Sequence, residues 1–249
     1  MSLCIDLNAD LGEGAGQDAA LLPLLTSANI ACGFHAGDPV TLLETLYAAR
    51  AAGVAVGAHP SLADREGFGR RELRVTADEV FALVLYQLGA FSALAAAAGV
   101  RPGHIKPHGA LYNMAARDPS LAMAVCRAVD SFDRTLFLFA PPASALTVAA
   151  AHFDIRVASE FFADRQYLAD GSLVPRSHPD AVLHDSAEAA ARVLRMLRTG
   201  TVCTLDGREI PLRAQTVCIH GDNPEALAFA RYLRASLLEA GIAVEAVRL

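Results

Sequence analysis

LCIDLNAD, residues 3–10, alternates apolar and polar side chains along a short β-like run. Because successive side chains of a strand point to opposite faces, its polar members share one face and its apolar members share the other. In a βα barrel one face of each strand points inward and the other meets the surrounding helices. The stretch therefore predicts a barrel strand with a polar interior face. Its polar members are Asp6, Asn8 and Asp10.

Six further β-like runs alternate with helix-like runs along the chain. This alternation predicts a parallel sheet with crossover helices. The length of 249 residues is typical of one α/β barrel. We therefore predict an α/β fold, a seven-stranded parallel βα barrel that forms a single domain over residues 1–249. The predicted strands are Leu3–Asn8, Ala28–Gly33, Val54–Ala58, His104–Pro107, Leu136–Ala140, Ile155–Glu160 and Val217–His220.

Capping residues mark where several helices begin and end. Asp38-Pro39 and Asp118-Pro119 each place an N-cap before a proline at the first helical position. Thr76–Glu79 forms a capping box that opens an alanine-rich helix ending near Gly99. We expect further helices from Ser186 to Arg198 and from Asn223-Pro224 to Gly241.

One segment departs from the alternation of strands and helices. Val202–Leu212 contains Asp206-Gly207 between apolar runs, which predicts a hairpin with a type I′ turn. We therefore expect a small hairpin insertion near residues 201–213. The tail Ile242–Leu249 predicts a final edge strand.

Composition and charge restrict the function classes. Apolar residues make up 53% of the chain, and the net charge is −6 without a basic run, which argues against a nucleic-acid partner. The five cysteines lack regular spacing and indicate reduced thiols. The N-terminus lacks the pattern of a signal peptide. Residues 80–100 are strongly apolar, but their alanines indicate a buried helix rather than a membrane span. We expect a cytoplasmic protein.

Polar and charged residues keep one parity and gather where the strands end. Active sites of βα barrels lie at this carboxyl rim. Burying a polar group without a hydrogen-bond partner costs free energy, so the members of such a cluster either hydrogen-bond to one another or have a function. The candidate site residues on this argument are Asp6, Asn8, Asp10, Asn29, His35, His59, Lys106, His108, Glu160, His220 and Asp222.

Lys106 carries the strongest individual signal. Lysine is almost never buried without a partner, so an inward-facing lysine implies an anion or a carboxylate, and Glu160 is the natural partner. The alternative is a structural ion pair without a substrate role. Likewise, Asp6 could brace the barrel floor, Asn29 could hold a turn, and a single strand-end histidine is more often structural.

Two loops carry weaker signals. Asp10–Gly16 is rich in glycine and follows a strand, but it lacks the spacing of a phosphate-binding loop. Gly67–Arg71 is flexible and basic, and its Arg70 could bind a carboxylate or phosphate; the alternative is a solvated surface turn. The cysteines favour core packing, and no G-x-S-x-G nucleophile motif is present.

Several long blocks of sequence resemble the LamB/YcsF family, which is associated with bacterial 5-oxoprolinase. The resemblance runs in order along nearly the whole chain. The blocks begin with residues 6–14 and continue with SANIACGFHAGD at 27–38, GAHP at 57–60, FGR at 68–70, KPHGALYN at 106–113, EFFADR at 160–165, GSLVPR at 171–176 and CIHGD at 218–222.

The resemblance implies a seven-stranded barrel related to the glycoside hydrolase/deacetylase barrels. It also implies the ATP-dependent opening of 5-oxoproline to L-glutamate, together with separate B and C subunits. Because the chain lacks a phosphate-binding loop, we expect ATP, with Mg²⁺, to be used together with the partner subunits. We predict no metal bound by the chain itself.

Lactam hydrolysis suggests roles for the candidate residues. The reaction needs a general base, a group that stabilises the activated oxygen, and an anchor for the substrate carboxylate. We predict Asp10 or Glu13 as the base, Lys106 with His35 or His108 as the stabilising groups, and Arg70 or Arg165 as the anchor. The remaining candidates are expected to bind substrate. Two alternatives stay open: a metal-dependent deacetylase or amidohydrolase using His35, His59, His108 and Asp10, and a non-catalytic component that binds substrate for its partners.

Overall fold

A computed structural model describes residues 3–219 and 226–247 of the chain. Seven parallel strands close into a barrel in the order β1-β2-β3-β4-β5-β6-β9, and β9 pairs again with β1. The predicted seven-stranded barrel is therefore confirmed. The barrel strands are β1 (Cys4–Leu11), β2 (Ser27–Ala31), β3 (Ala55–His59), β4 (Pro102–Ile105), β5 (Phe137–Ala140), β6 (Val157–Phe162) and β9 (Thr216–Ile219).

Helices surround the barrel and connect successive strands. The described helices are α1 (Asp18–Leu21), α2 (Pro39–Ala52), α3 (Ala77–Ala98), α4 (Gly109–Arg117), α5 (Pro119–Asp133), α6 (Ala145–His152), α7 (Ser186–Thr199) and α8 (Ala226–Glu239), and a 3₁₀ turn covers Leu22–Leu24. Asp38 and Asp118 cap α2 and α5 as predicted, and Thr76 forms the predicted capping box with Glu79. The short helices α1, α4 and α6 were not predicted. The predicted start of α8 at Asn223-Pro224 lies outside the described residues.

Several strand boundaries differ from the prediction. Strand β1 continues to Leu11, because Asp10 pairs with Asn29 and Leu11 pairs with Ile30 in the ladder between β1 and β2. Asp10 is therefore part of a strand, not of the loop that follows it. Strand β6 likewise continues two residues beyond Glu160. Both extensions follow from backbone pairing, which does not depend on how polar the side chain is.

The hairpin joins β7 (Thr201–Cys203) to β8 (Glu209–Pro211) in antiparallel pairing. The predicted two-residue type I′ turn is wrong, because that turn needs positive φ at both central residues and only Gly207 of the pair has one. The loop instead spans residues 204–208, between the paired Cys203 and Glu209. In the predicted edge strand, β10 (Ala243–Val244) pairs with β1 over two residues.

Helix α3 is long and apolar enough to cross a membrane by length and composition alone. In the structure, a stripe along it at helical spacing is buried, and α3 packs against α2 and α5. This contact agrees with a helix of the barrel's outer layer. The buried residues of the stripe are Val80, Val84, Gln87, Leu88, Phe91, Ala95 and Ala98.

Candidate active site at the carboxyl end of the barrel

A cavity of about 630 Å³ opens where the barrel strands end. Many of the predicted site residues line it, which places them together as the strand parity requires. His35 and Glu160 lie directly behind this lining, in contact with Glu13 and Lys106 respectively. His220 and Asp222 lie outside the described residues. The predicted residues in the cavity wall are Asp10, Glu13, His59, Arg70, Lys106, His108 and Arg165.

Lys106 lies at the base of the cavity between two carboxylates. Its Nζ is 3.0 Å from Asp10 Oδ1 and 2.8 Å from Glu160 Oε1. The predicted pairing of Lys106 with Glu160 is confirmed. Nζ also donates to Asn8 Oδ1 at 3.3 Å and to Cys218 Sγ at 3.1 Å. These partners lie on strands β1, β6 and β9, so the ammonium group joins elements far apart in sequence.

The surroundings keep Lys106 positively charged. Burial alone would lower the pKa of Lys106, but the negative charges of Asp10 and Glu160 outweigh burial and raise the pKa well above its usual value. Burial raises the pKa of the Cys218 thiol well above its usual value, although Lys106 opposes the shift. The site therefore presents a fixed ammonium group beside a neutral thiol.

A layer of amides and an imidazole lies below the lysine. Asn8 Nδ2 donates to Glu160 Oε1 at 3.1 Å, and Asn29 Nδ2 donates to Asn8 Oδ1 at 2.7 Å and to Asp10 Oδ1 at 2.9 Å. His104 Nε2 is 2.8 Å from Asn29 Oδ1. Asn8 and Asn29 therefore orient the carboxylates rather than line the cavity.

Asp6 lies deeper still, at the floor of the barrel. Its carboxylate accepts hydrogen bonds from Thr26 Oγ1 at 2.6 Å, from Ser27 Oγ at 2.7 Å and from the Thr216 hydroxyl. Burial raises the pKa of Asp6 above its usual value, despite these donors. Asp6 does not line the cavity, and its contacts fit the alternative of a structural brace.

Three histidines and Glu13 converge beside Lys106 and its two carboxylate partners. Glu13 Oε1 lies 2.8 Å from His35 Nε2, 3.3 Å from His108 Nδ1 and 3.7 Å from His59 Nε2. His59 Nε2 is 2.9 Å from His108 Nδ1. The rings of His35 and His108 are stacked, with centroids 3.8 Å apart. We call these four residues the histidine cluster.

Two imidazoles of this cluster, those of His35 and His108, favour the neutral form. Burial is the largest cause that lowers the pKa of His35, to about 2, and that of His108, to well below its usual value. Neighbouring imidazoles add to both shifts. In the described part of the chain, His35 Nδ1 is buried without a hydrogen-bond partner. Positive charge at the base of the cavity therefore comes from Lys106 rather than from His35 or His108.

Arginines approach the cavity from two different loops. Arg70 is exposed at the mouth, with its guanidinium carbon 4.9 Å from the centroid of the Phe68 ring. Arg165 is buried and donates to the carbonyl oxygens of Val174 at 2.6 Å and Ala181 at 3.3 Å. Burial lowers the pKa of Arg165 to about 10, so it remains charged at neutral pH. Arg165 thereby fixes the loop wall, whereas Arg70 faces the entrance.

The structure adds residues that the sequence-based site did not include. Tyr112 lines the cavity on α4, one helical turn after His108, and burial followed by the charge of Glu160 raises its pKa well above its usual value. Cys218 contacts Lys106 and was interpreted only as core packing. The KPHGALYN block that contains both Lys106 and Tyr112 was the available signal for Tyr112. For Cys218 the signal was its parity on the last barrel strand.

Known proteins resemble this chain over nearly its full length. Residues 5–249 match the LamB/YcsF family. The chain is 54% identical over 251 residues to the A subunit of 5-oxoprolinase from Bordetella pertussis, with 99% of this chain and 100% of the relative covered. The crystal structure of a lactam utilization protein from Thermus thermophilus is 48% identical, with a TM-score of 0.93 over 98% of this chain and all of the other.

A more distant neighbour resembles the chain in fold alone. A polysaccharide deacetylase from Bacillus cereus superposes with a TM-score of 0.54 at 14% identity, covering 100% of this chain and 93% of the other. The relationship to deacetylase barrels that was predicted for the fold agrees with this superposition.

Proposed function

The chain belongs to the LamB/YcsF family, and on that premise we propose that it is the A component of a 5-oxoprolinase. The proposed reaction is the ATP-dependent hydrolysis of 5-oxoproline, a cyclic amide, to L-glutamate. The Bordetella pertussis relative, 54% identical over its entire length, supports this activity by its name. The observation that carries the proposal on this chain is the buried lysine between two carboxylates at the base of the cavity.

Ring opening places three demands on the site. A five-membered lactam is a stable amide, so its carbonyl must be activated, water must be delivered and the leaving nitrogen must be protonated. Phosphorylation of the amide oxygen by ATP would supply the activation. We assign Lys106 to stabilise the negative charge of the phosphoryl group on that oxygen, because Lys106 is a buried cation at the base of the cavity and its carboxylate partners fix its position.

Asp10 is the better candidate for the general base. It lines the cavity, and its Oδ1 is held by Lys106 and Asn29, which orients the carboxylate. Glu13 is less suitable, because its Oε1 already contacts three imidazole nitrogens. His35 and His108 are neutral at physiological pH and therefore cannot contribute a positive charge to the activated oxygen.

Arg70 is the proposed anchor for the substrate carboxylate. It lies at the cavity mouth, where a guanidinium can form a bidentate contact with a carboxylate. Arg165 already donates to two backbone carbonyls, so its proposed contribution is to shape the wall and to add positive potential. Four further residues position the groups that are proposed to contact substrate: Asn8, Asn29, His59 and Glu160. The roles of His220 and Asp222 remain predictions.

We propose that ATP and Mg²⁺ are used together with B and C subunits. The glycine-rich loop after β1 does not fit a triphosphate, because the backbone N–H of Gly12 donates to Asp18 and the loop carries the Glu13 carboxylate. We expect little 5-oxoproline-dependent ATP hydrolysis by this chain alone. We also propose a cytoplasmic location, which the five free cysteines support.

Reconstitution tests the proposed function. Turnover of 5-oxoproline is measured with the B and C subunits in the presence and absence of this chain, and with Lys106→Met in its place. We expect turnover only with the wild-type chain. Normal turnover with Lys106→Met would refute its catalytic role, and normal turnover without the chain would support a non-catalytic binding role. An Arg70→Gln variant is expected to raise KM more than it lowers kcat.

A further inference from the structure

Two ring nitrogens of the histidine cluster face each other, and the contacts on the opposite side of each ring indicate which of its nitrogens carries the hydrogen. His59 Nδ1 lies 2.7 Å from the carbonyl oxygen of Lys106, and His108 Nε2 lies 2.8 Å from the carbonyl oxygen of Phe68. A carbonyl oxygen only accepts hydrogen bonds, so each of these nitrogens carries the hydrogen of its ring. In the neutral rings, His59 Nε2 and His108 Nδ1 are then both lone pairs, and they lie 2.9 Å apart.

Two facing lone pairs at this distance require a proton or a cation between them. A shared proton would lie between these two nitrogens, with Asp10 Oδ2 3.4 Å from His59 Nε2. The cluster is larger: one atom each from Glu13, His35, His59 and His108 lies within 4.8 Å of all the others. A cation at their centre would engage the carboxylate as well as the three imidazoles.

The separations within the cluster suit a small ion. Four ligands placed about 2.0–2.2 Å from a tetrahedral Zn²⁺ are about 3.3–3.6 Å from one another. The measured distances from Glu13 Oε1 to its three nitrogen neighbours are 2.8, 3.3 and 3.7 Å. The three distances from Glu13 therefore bracket the required spacing. The stacked rings of His35 and His108, only 8° from parallel, must turn relative to each other before both can point a nitrogen at one ion.

The surroundings hold His59 and His108 as metal-binding histidines are usually held, whereas the outer nitrogen of His35, Nδ1, has no hydrogen-bond partner within the described residues. A metal-ligating histidine commonly donates its other N–H to a carbonyl or carboxylate, which fixes the ring and leaves the opposite nitrogen for the metal. Lys106 O and Phe68 O provide this support to His59 and His108.

The backbone that supplies the Phe68 carbonyl is strained. Phe68 has φ 54°, a left-handed conformation that costs free energy for a non-glycine residue. The next residue, Gly69, has φ 64°, and a Cβ there would overlap Ser61, His35 and His108. The loop is thus packed directly on the histidine cluster, in a conformation that packing and contacts must maintain.

We propose that Glu13, His35, His59 and His108 form a binding site for a divalent metal ion of the Zn²⁺ class. Three imidazoles and one carboxylate favour Zn²⁺ over Mg²⁺ or Ca²⁺, which prefer oxygen ligands. This site goes beyond the proposed lactam hydrolysis and does not depend on it. It also replaces the expectation that the chain binds no metal with a specific alternative.

Metal binding by the full-length chain tests the site without measuring turnover. The protein is stripped with a chelator, titrated with Zn²⁺ and analysed for metal after gel filtration. Co²⁺ is titrated in parallel, because its visible absorption reports coordination. We expect one equivalent of tightly bound Zn²⁺ per chain, and a Co²⁺ spectrum with bands of four- or five-coordinate geometry.

Substitutions locate the ion within the chain. Glu13→Gln and His59→Asn/His108→Asn are each expected to weaken Zn²⁺ binding by at least about 100-fold, beyond the ~10–100-fold cost of changing an outer-shell partner. His104→Gln is the matched control, because His104 is also buried on the barrel interior but lies outside the cluster. Circular dichroism establishes that each variant is folded.

Two outcomes would overturn the proposal. The first is that the wild-type chain retains no Zn²⁺ after gel filtration. A proton shared by His59 and His108 would then be the remaining explanation of their contact. The second is unchanged affinity in the folded Glu13→Gln variant. If the wild-type chain binds Zn²⁺ but the reconstituted complex does not turn over 5-oxoproline, the proposed function is contradicted and the metal site is not.

Discussion

Replacing Lys106 by methionine is expected to destabilise the fold strongly at neutral pH. The change keeps the length of the side chain but removes the cation that lies 3.0 Å from Asp10 and 2.8 Å from Glu160. All three side chains are at most one-tenth exposed, so water cannot replace the lost charge. Removing one partner of a buried ion pair costs about 3–5 kcal/mol, out of a typical unfolding free energy of about 5–15 kcal/mol.

The loss should depend on pH in a defined direction. The pKa of Lys106 is higher in the folded than in the unfolded protein, so its contribution is complete below the unfolded value of about 10.4 and is lost only as the pH rises through the folded value. The difference in unfolding free energy between wild type and Lys106→Met should therefore have its full size near pH 7–8 and should narrow only as the pH rises above about 10.4.

Urea unfolding followed by circular dichroism measures this difference. Arg117→Met is the control: its ion pair with Glu72 spans 2.6 Å, but both side chains are more than half exposed, so its loss should cost under about 1 kcal/mol. Adding Glu160→Gln to Lys106→Met should restore about 1–3 kcal/mol, because it removes one of the uncompensated charges. A cost for Lys106→Met no larger than that of Arg117→Met, or no recovery in the double variant, would refute the reasoning.

Two further perturbations test the packing and the electrostatics of the barrel interior. Gly57→Ala should lower the unfolding free energy by about 1–3 kcal/mol, because the added Cβ overlaps the His104 ring. Gly103→Ala is the control and should change the unfolding free energy little, because no atom lies within 4 Å of its added Cβ. Equal melting temperatures for the two variants would contradict this prediction. Burial lowers the pKa of His104 from 6.5 to about 3, so as the pH falls the unfolded state binds a proton before the folded state does. The unfolding free energy should therefore fall as the pH drops from about 6.5 toward 3, and His104→Gln should flatten that dependence. Parallel pH profiles of wild type and His104→Gln would rule out His104 as a cause.

The fold and the base of the site were accessible from the sequence because they depend on period-two patterning. In β1 the parity that separates Asp6, Asn8 and Asp10 from their apolar neighbours also fixes which side chains enter the barrel. The same reasoning paired Lys106 with Glu160, since a buried lysine needs a carboxylate and Glu160 has the required parity. Parity does not give depth along the barrel axis, however. Asp6 and Asp10 share a face, yet Asp6 braces the floor and Asp10 lines the cavity.

The histidine cluster depends on contacts that no local pattern encodes. His108 is held by the carbonyl of Phe68, forty residues earlier, and that contact requires a left-handed backbone at a residue type that seldom adopts one. Glu13 reaches His35 from a loop rather than from a strand. The rule that the active site of a βα barrel lies at the carboxyl ends of its strands predicts that such residues share one rim. It does not give the atom-to-atom distances that distinguish a metal site from a hydrogen-bonded group.

The hydrogen bonding of the barrel floor differs from that of the histidine cluster. Around Asp6 and Asn29, buried side chains form a continuous hydrogen-bond network. In the histidine cluster, His35 Nδ1 is buried without a hydrogen-bond partner within residues 3–219 and 226–247. Leaving such an atom unpaired costs roughly 1–3 kcal/mol, and an apolar residue could fill the same space without that cost. Its retention agrees with a site that exchanges water for a polar ligand, because such a site requires donors and acceptors that are not already used within the protein.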